Sequence, residues 1–387
     1  MRYSSLKVVT STMLFGTLIG PFFGSVAQAQ SSVTLYGVID EGLNFTTNAG
    51  GKRGYAMVSG DTAASVWGLK GTEDLGGGNS AIFKLENSFY ANNGTYANGG
   101  REFGREAWVG LSSTRYGTLT MGRQYDPMID MWSAFTGAGN LIGDLAAHPF
   151  DNDNSDYDYR INNSVKYLSP SFSGLQFEAL YGFSNATDFA ANRTYGAGVT
   201  YTMGGFSSAV SYLKEHNGGS SVNGSASSDD TVFVSSSQQN IAAAVKWTFA
   251  NNANIAFAYS HVDVYDPTSN LYVSDIGTQT WNAWKFDNFD LNGQYYFHPD
   301  FWIAADYTFT HAKWDGTSSS SSQNWHHVAL MLDYDFSKRT SVYVQGAYEH
   351  TNGSTGTGLD YASIIGSSAT SSSRNQMVYR VALMHRF

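Results

Sequence analysis

The chain contains no cysteine, which removes disulfides, zinc–thiolate sites and thiol catalysis together. Charge is also scarce. Asp, Glu, Lys and Arg make up 14% of the 387 residues, against roughly 25% in a soluble domain, so a large, ordinarily hydrated exterior is not expected. Basic residues number 22 against 32 acidic, a balance that argues against a nucleic-acid partner. Beyond residue 29 no stretch approaches the roughly 20 uninterrupted apolar residues of a spanning helix, so a helical membrane bundle is excluded as well. What the chain has instead is aromatic surface: Tyr 25, Phe 24 and Trp 9 within 42% apolar residues, too much buriable area for a disordered polypeptide.

The first thirty residues differ in kind from the rest. Arg2 and Lys7 form a positive n-region, Val8 to Gly24 is nearly all apolar, and Ala27-Gln28-Ala29 has the small-residue spacing of a cleavage site. These are the three parts of a secretory signal. Residues 1–29 are therefore expected to be removed, leaving 30–387 as a single exported domain; an uncleaved N-terminal anchor is the alternative. Cleavage removes two basic residues and no acidic one, so the exported chain is the more acidic.

The exported part shows two-residue alternation in segments of the length a tilted membrane strand needs, about 9–11 residues. Phe301, Ile303, Ala305, Tyr307 and Phe309 interleave with Trp302, Ala304, Asp306, Thr308 and Thr310. Val328, Leu330, Leu332, Tyr334 and Phe336 do the same against Ala329, Met331, Asp333 and Asp335. Sixteen such segments are expected, near 32–44, 64–73, 79–90, 103–112, 117–125, 159–168, 174–184, 193–202, 205–215, 239–249, 253–263, 283–297, 301–311, 324–336, 340–350 and 376–387. Short connections such as Met203-Gly204 and His298–Asp300 alternate with longer ones such as Asn217–Ser237, Asp315–Ser322 and Thr351–Arg374.

That is the plan of an all-β, sixteen-stranded antiparallel transmembrane β-barrel with short periplasmic turns and long extracellular loops. A soluble β-sandwich or an exported adhesin is the rival. Closure follows from the solvent, since unpaired backbone groups cannot be left in hydrocarbon. Sixteen strands enclose more space than side chains fill, so a water-filled interior is expected.

A set of segments then points to a family. Ser31-Ser32-Val33-Thr34-Leu35-Tyr36-Gly37-Val38-Ile39-Asp40, Trp67-Gly68-Leu69-Lys70-Gly71-Thr72-Glu73-Asp74-Leu75-Gly76, Val109-Gly110-Leu111, Met121-Gly122-Arg123-Gln124, Asn163-Ser164-Val165-Lys166-Tyr167 and Tyr379 through Phe387 resemble the Gram-negative general-diffusion porins. The resemblance runs along the whole exported chain. It implies a homotrimer in the outer membrane, a pore in each barrel, a third long loop folded into that pore, and recognition of Phe387 by the outer-membrane assembly machinery.

From Gln124 to Tyr159 the third long loop has no Lys or Arg, and seven carboxylates: Asp126, Asp130, Asp144, Asp151, Asp153, Asp156 and Asp158. Its first half carries Met131, Trp132, Phe135, Leu141, Ile142 and Leu145, able to pin it against the wall. Asp126, Asp130 and Asp144 are taken as the acidic side of a constriction. Asp151 to Asp158 read equally as a solvated acidic surface, with divalent ions and lipopolysaccharide for partners.

Opposing cations are sought on the inward parity of the strands. Arg160 alternates with Asn162, Ser164 and Lys166; Lys70 shares the parity of Gly68; Lys84 and Glu86 lie opposite Phe83 and Leu85. Arg105 and Arg123 have outward parity, and only the resemblance implies that an arginine before Val109-Gly110-Leu111 turns inward; a girdle or subunit-interface position is the alternative. Val66 stands where related porins commonly carry an arginine, so the basic ladder is thin.

The expected function is passive diffusion of ions and small hydrophilic solutes through a transverse field, with cations preferred. Two unit charges about 4 Å apart interact by about 1 kcal/mol in water and about 4 at an effective dielectric near 20, so a wet pore biases ions by roughly one order of magnitude. A substrate-specific channel for sugars or organic ions is the runner-up. No enzyme, cofactor or metal is expected: no G-x-S-x-G, H-E-x-x-H or P-loop occurs, and His326 and His327, adjacent on a strand, face opposite ways.

Overall fold

The computed structural model describes residues 32–387; the expected signal segment lies outside them. The chain forms sixteen antiparallel barrel strands: β1 (Ser32–Ala49), β2 in two pieces (Lys52–Ser59 and Val66–Gly76), β3 (Asn79–Ser88), β4 (Glu106–Ser113), β5 (Gly117–Gln124), β6 (Ile161–Leu168), β7 (Leu175–Gly182), β8 (Thr194–Met203), β9 (Phe206–His216), β10 (Ser237–Thr248), β11 (Asn254–Tyr265), β12 (Trp281–His298), β13 (Phe301–Gly316), β14 (Ser320–Ser337), β15 (Thr340–Thr351) and β16 (Asn375–Arg386). Each pairs with its sequence neighbour, and β1 pairs with β16 from Val38 opposite Arg386 to Thr46 opposite Val378. Among the described residues this barrel sheet has no free edge. Phe387 extends the seam, exchanging both backbone hydrogen bonds with Gly37 at 3.1 and 3.0 Å. Its ring lies where a Cβ on Gly37 would be, 2.3 Å from the nearest atom.

Side chains sort by the two-residue period as anticipated. Along β13, Ala305 and Tyr307 are exposed on the outer surface while Ala304, Asp306, Thr308 and Thr310 are buried inside. Tyr295, Phe297, Phe301, Tyr334 and Phe336 ring the short-turn end of β12 to β14, and Tyr259, Phe289, Phe309 and Tyr348 lie farther up β11, β12, β13 and β15, two belts of the kind that border a bilayer core.

Three features depart from the alternation plan. The first connection is a two-residue turn at Gly50-Gly51, because β1 continues to Ala49 and β2 returns at once. The length read as a loop is instead a break in β2: residues 60–65 leave the sheet and turn inward. Likewise β13 and β14 run on to Gly316 and from Ser320, so the seventh outer connection is also tight.

The third departure is inside. The expected open interior is partly filled at its loop end by an aromatic core. Trp284 and Phe286 of β12 and Trp314 of β13 meet edge to face at 5.4 Å. Phe150 from the third long loop stands at 5.9 Å from Trp325 of β14, and Phe233 from the loop after β9 stacks on Phe286 at 6.0 Å. Each such pair adds about 0.5–1.5 kcal/mol beyond its buried area. A two-residue ladder, Phe233–Val234 with Ser269–Asn270, ties two outer loops together over this core.

The seam carries a buried charge network. Arg380 donates through Nη2 to Asp40 Oδ1 at 2.9 Å and through Nη1 to Asn44 Oδ1 at 2.9 Å, with Asp61 Oδ2 at 3.3 Å; Tyr343 donates to Asp40 at 2.6 Å. All three charged side chains are fully shielded. Removing one member strands the others, so Arg380→Met should lower the unfolding free energy by roughly 3 kcal/mol or more. Urea titration of the refolded barrel checks this, and a variant as stable as the parent would contradict it.

Candidate functional site: the lumen beside the third long loop

The third long loop, residues 125–160, folds into the barrel as a series of short helical turns. Asp126 starts it by accepting the Met128 N–H at 2.7 Å and the Asn154 amide at 2.8 Å. Three fastenings hold it to the wall. Ser211 of β9 donates to the Pro127 carbonyl at 2.8 Å. The Gly137 N–H donates to Asp290 of β12 at 2.8 Å, and His148 spans Asp153 at 2.7 Å and the same Asp290 at 3.3 Å. Gln345 of β15 and His327 of β14 donate to the Ile142 and Leu145 carbonyls at 2.7 and 2.8 Å.

The inward break in β2 completes the third fastening. Asp144 N–H donates to the Asp61 carbonyl at 2.9 Å and Thr62 to the Ile142 carbonyl at 3.2 Å. Gly143 makes this approach possible: its φ is +80°, and a Cβ there would sit 2.0 Å from the Asp61 oxygen. Gly143→Val should therefore loosen residues 138–146 while leaving the strands intact. Hydrogen exchange by mass spectrometry checks it, with faster exchange confined to that stretch expected and unchanged protection there contradicting it.

The loop leans on β8 to β15 and leaves space along the opposite wall. A chamber of about 570 Å³ lies against β3 to β8, and one of about 420 Å³ between β1 to β3 and residues 138–157. They share Lys84, Tyr125 and Tyr157. A third, of about 410 Å³, joins the second through Thr62, Ala63, Ala138 and Gly139 and reaches Asp335 and Arg386 at the short-turn end.

Of the residues singled out in the sequence, Lys84, Arg105, Lys166, Asp130 and Asp144 face these chambers. Each wall cation is matched at once. Lys84 bridges Glu86 at 3.1 Å and Glu106; Arg105 Nε contacts Glu86 at 3.0 Å; Lys166 meets Asp130 from the loop. Tyr36 donates to Glu86 at 2.6 Å, and Trp108 to Glu106 at 2.9 Å. Lys70 is paired across the sheet with Lys84 and lies over the Tyr36 ring at 5.1 Å.

Arg123, Arg160 and Asp126 are placed elsewhere. Arg123 donates to Asp230 at 2.6 Å and to the Gly104 carbonyl at 2.7 Å, clamping the loop after β9 to the barrel. Arg160, 3% exposed, donates to the Tyr125 hydroxyl and the Asp158 carbonyl at 3.0 Å each. Parity decides neither, the outward parity of Arg123 or the inward parity of Arg160: a register shift follows Gly122, and Arg160 precedes its strand. Asp126 is the fully buried cap already described, its carboxyl pushed up to about 6 by that burial.

The stretch from Asp151 to Asp158 is not a solvated surface either. Residues 151–155 are fully buried, and Asp151 accepts from the Asp156 and Asp158 N–H groups at 2.9 and 3.2 Å. Phe150, Asp151, Asn154 and Tyr157 all have positive φ, backbone strain that packing must hold and that turns Tyr157 toward the lumen. Burial, then the neighbouring carboxylates, raises Asp144 and Asp156 well above the ordinary carboxyl range. Glu106, Glu178, Asp61, Tyr125 and Tyr157 were not singled out; Glu106 and Glu178 share inward parity with Trp108 and Gln176, whereas nothing local marks the other three.

The family model for Gram-negative porins matches residues 16–354. An outer membrane porin of Bordetella pertussis is 36% identical over 233 residues, covering 52% of this chain and 58% of that protein. Outer membrane porin protein 32 of Delftia acidovorans is 33% identical over 202 residues, 49% and 56% of the two chains. The matched stretches thus span little more than half of these curated relatives. Among solved structures, the anion-selective porin from Comamonas acidovorans superposes with a TM-score of 0.70 at 22% identity, covering 92% of this chain and all of that one. OmpT of Vibrio cholerae in its trimer form superposes at 0.62 with 15% identity. The likenesses to solved structures establish the fold, and the family match over most of the length makes the chain a member of the Gram-negative porin family, placed in the outer membrane.

Proposed function

We propose that this protein is a diffusion channel for ions and small hydrophilic solutes, that cations pass more readily than anions, and that it performs transport and no catalysis. The observation that carries the reading is the surface of the chambers beside the loop. Asp61, Glu86, Glu106, Asp130, Asp144, Asp156 and Glu178 line the first two, against Lys84, Arg105 and Lys166. The three cations are already engaged by carboxylates, so the remaining field is negative, and focusing by low-dielectric walls concentrates counter-ions there. Selectivity belongs to such surfaces and not to the fold, so likeness to an anion-selective porin is no obstacle. Export through residues 1–29, cleavage there, a homotrimeric state and recognition of Phe387 during assembly belong to the same reading; the trimer form of a structural neighbour supports the third.

Reversal potentials in planar bilayers under a salt gradient test this. Cation preference is expected, and clear chloride preference would overturn it. Lys166→Gln should raise the cation-to-anion permeability ratio several-fold, within the roughly one order of magnitude a wet site allows. Arg123→Gln should leave it unchanged, since that guanidinium lies outside the lumen surface.

The preference should also depend on pH. Asp144, raised by burial and then by Asp61 and Asp158, and Asp156, raised by burial and then by Asp144 and Asp151, carry protons above the usual carboxyl range and lose them as the solution becomes alkaline. Cation preference should therefore grow from pH 5 to pH 9; a flat or falling ratio across that range would contradict the assignment.

A further inference from the structure

One carboxylate on the lumen wall is left over after the ion pairs are assigned. Glu178 of β7 is 2% exposed, and its Oε1 has no hydrogen-bond partner among the described residues. It lines the chamber of about 570 Å³ beside Asp130 and Lys166. Lys166 Nζ is shared between Asp130 and the Tyr125 carbonyl at 3.1 Å. Two carboxyl groups thus share one ammonium group, and the Glu178 carboxyl is left without a cation of its own. A buried carboxylate left unpaired is costly, so the site favours a positive group from outside.

The chamber also presents aromatic rings, Trp108 and Tyr157, and its volume falls in the range of small-molecule sites, about 300–1,000 Å³. The other carboxylate there, Glu106, is satisfied by Lys84 and by the Trp108 indole N–H. Rings beside an unpaired carboxylate favour organic cations over inorganic ones, because the ring face attracts the charge and the ring body takes up an apolar tail.

We propose that Asp130 and Glu178 form a subsite for a primary ammonium group, so that small organic amines with a short apolar tail are retained in transit. This rests on the lumen being the conducting path. The unbalanced charge is single, so a monoamine satisfies it.

The test is block of open-channel current in a planar bilayer by n-butylammonium, with n-butyrate and n-butanol as controls. Saturable block by the amine alone is expected, weakened roughly tenfold in Glu178→Gln, the effect of one charge contact in a wet site whose dielectric stays close to that of water, and partly recovered in Glu178→Asp. Where Glu178→Gln does not insert, Asp130→Asn takes its place with the same expectation. Equal block by butyrate, absence of block, or undiminished block in the substituted channels would overturn the proposal, the last meaning that Glu178 carries its own proton. Absence of current before any amine is added would count against the channel reading instead.

Discussion

In hydrocarbon, a backbone N–H or C=O has no water to turn to, and this constraint organises the molecule. Sixteen strands answer it by pairing in sequence and by joining Val38–Thr46 to Val378–Arg386. Closure assigns every side chain to lipid or lumen by parity. With the outer face committed to Val33, Leu35, Val109, Leu291, Val381 and their like, charge has only the inside to occupy. The Arg380, Asp40 and Asp61 network at the seam and the Lys84, Glu86 and Glu106 network on the wall are both consequences.

A closed wall with charges on its inner face also gives an entering loop something to grip. Asp290, His327, Gln345 and Ser211 hold the backbone of residues 127–148, and the aromatic core at the loop end covers that side. The result is a lumen pushed off centre, bounded by charged strands on one side and a strained, acidic loop on the other. Since the wall supplies glutamates beside its own lysine and arginine, the sign of the remaining field is set by the loop and by Glu178.

Much of the fold was legible because a barrel in lipid obeys a period of two with few exceptions. Phe301 through Thr310 and Val328 through Asp335 sort as read. Legibility stopped where the period did. Residues 60–65 look like a loop because they leave the sheet, yet they point inward and receive the third long loop. Trp284, Trp314 and Trp325 hold inward positions that the alternation assigns to polar residues, and the Phe150 and Phe233 rings that cover them come from distant loops. The site followed the same rule. Lys84, Lys166 and Asp130 sit on regular strand or at the start of the loop, and they reach the lumen. Arg123 and Arg160 flank a bulge and a strand end, where parity fails, and the partner of Arg123, Asp230, lies 107 residues away. Register, which sets Glu86 opposite Glu106, is not visible in a single sequence.

The claim on which the rest depends is that water runs along the β3 to β8 wall while the loop end of the lumen under β12 to β14 is filled. The absence of cysteine allows this to be measured directly with a charged, membrane-impermeant thiol reagent on single-cysteine variants in a conducting bilayer. Gln176→Cys, on the chamber wall, should react and cut the current stepwise; Thr310→Cys, fully buried beside Asn288, should stay inert. Rapid reaction at position 310 with none at 176 would contradict the account.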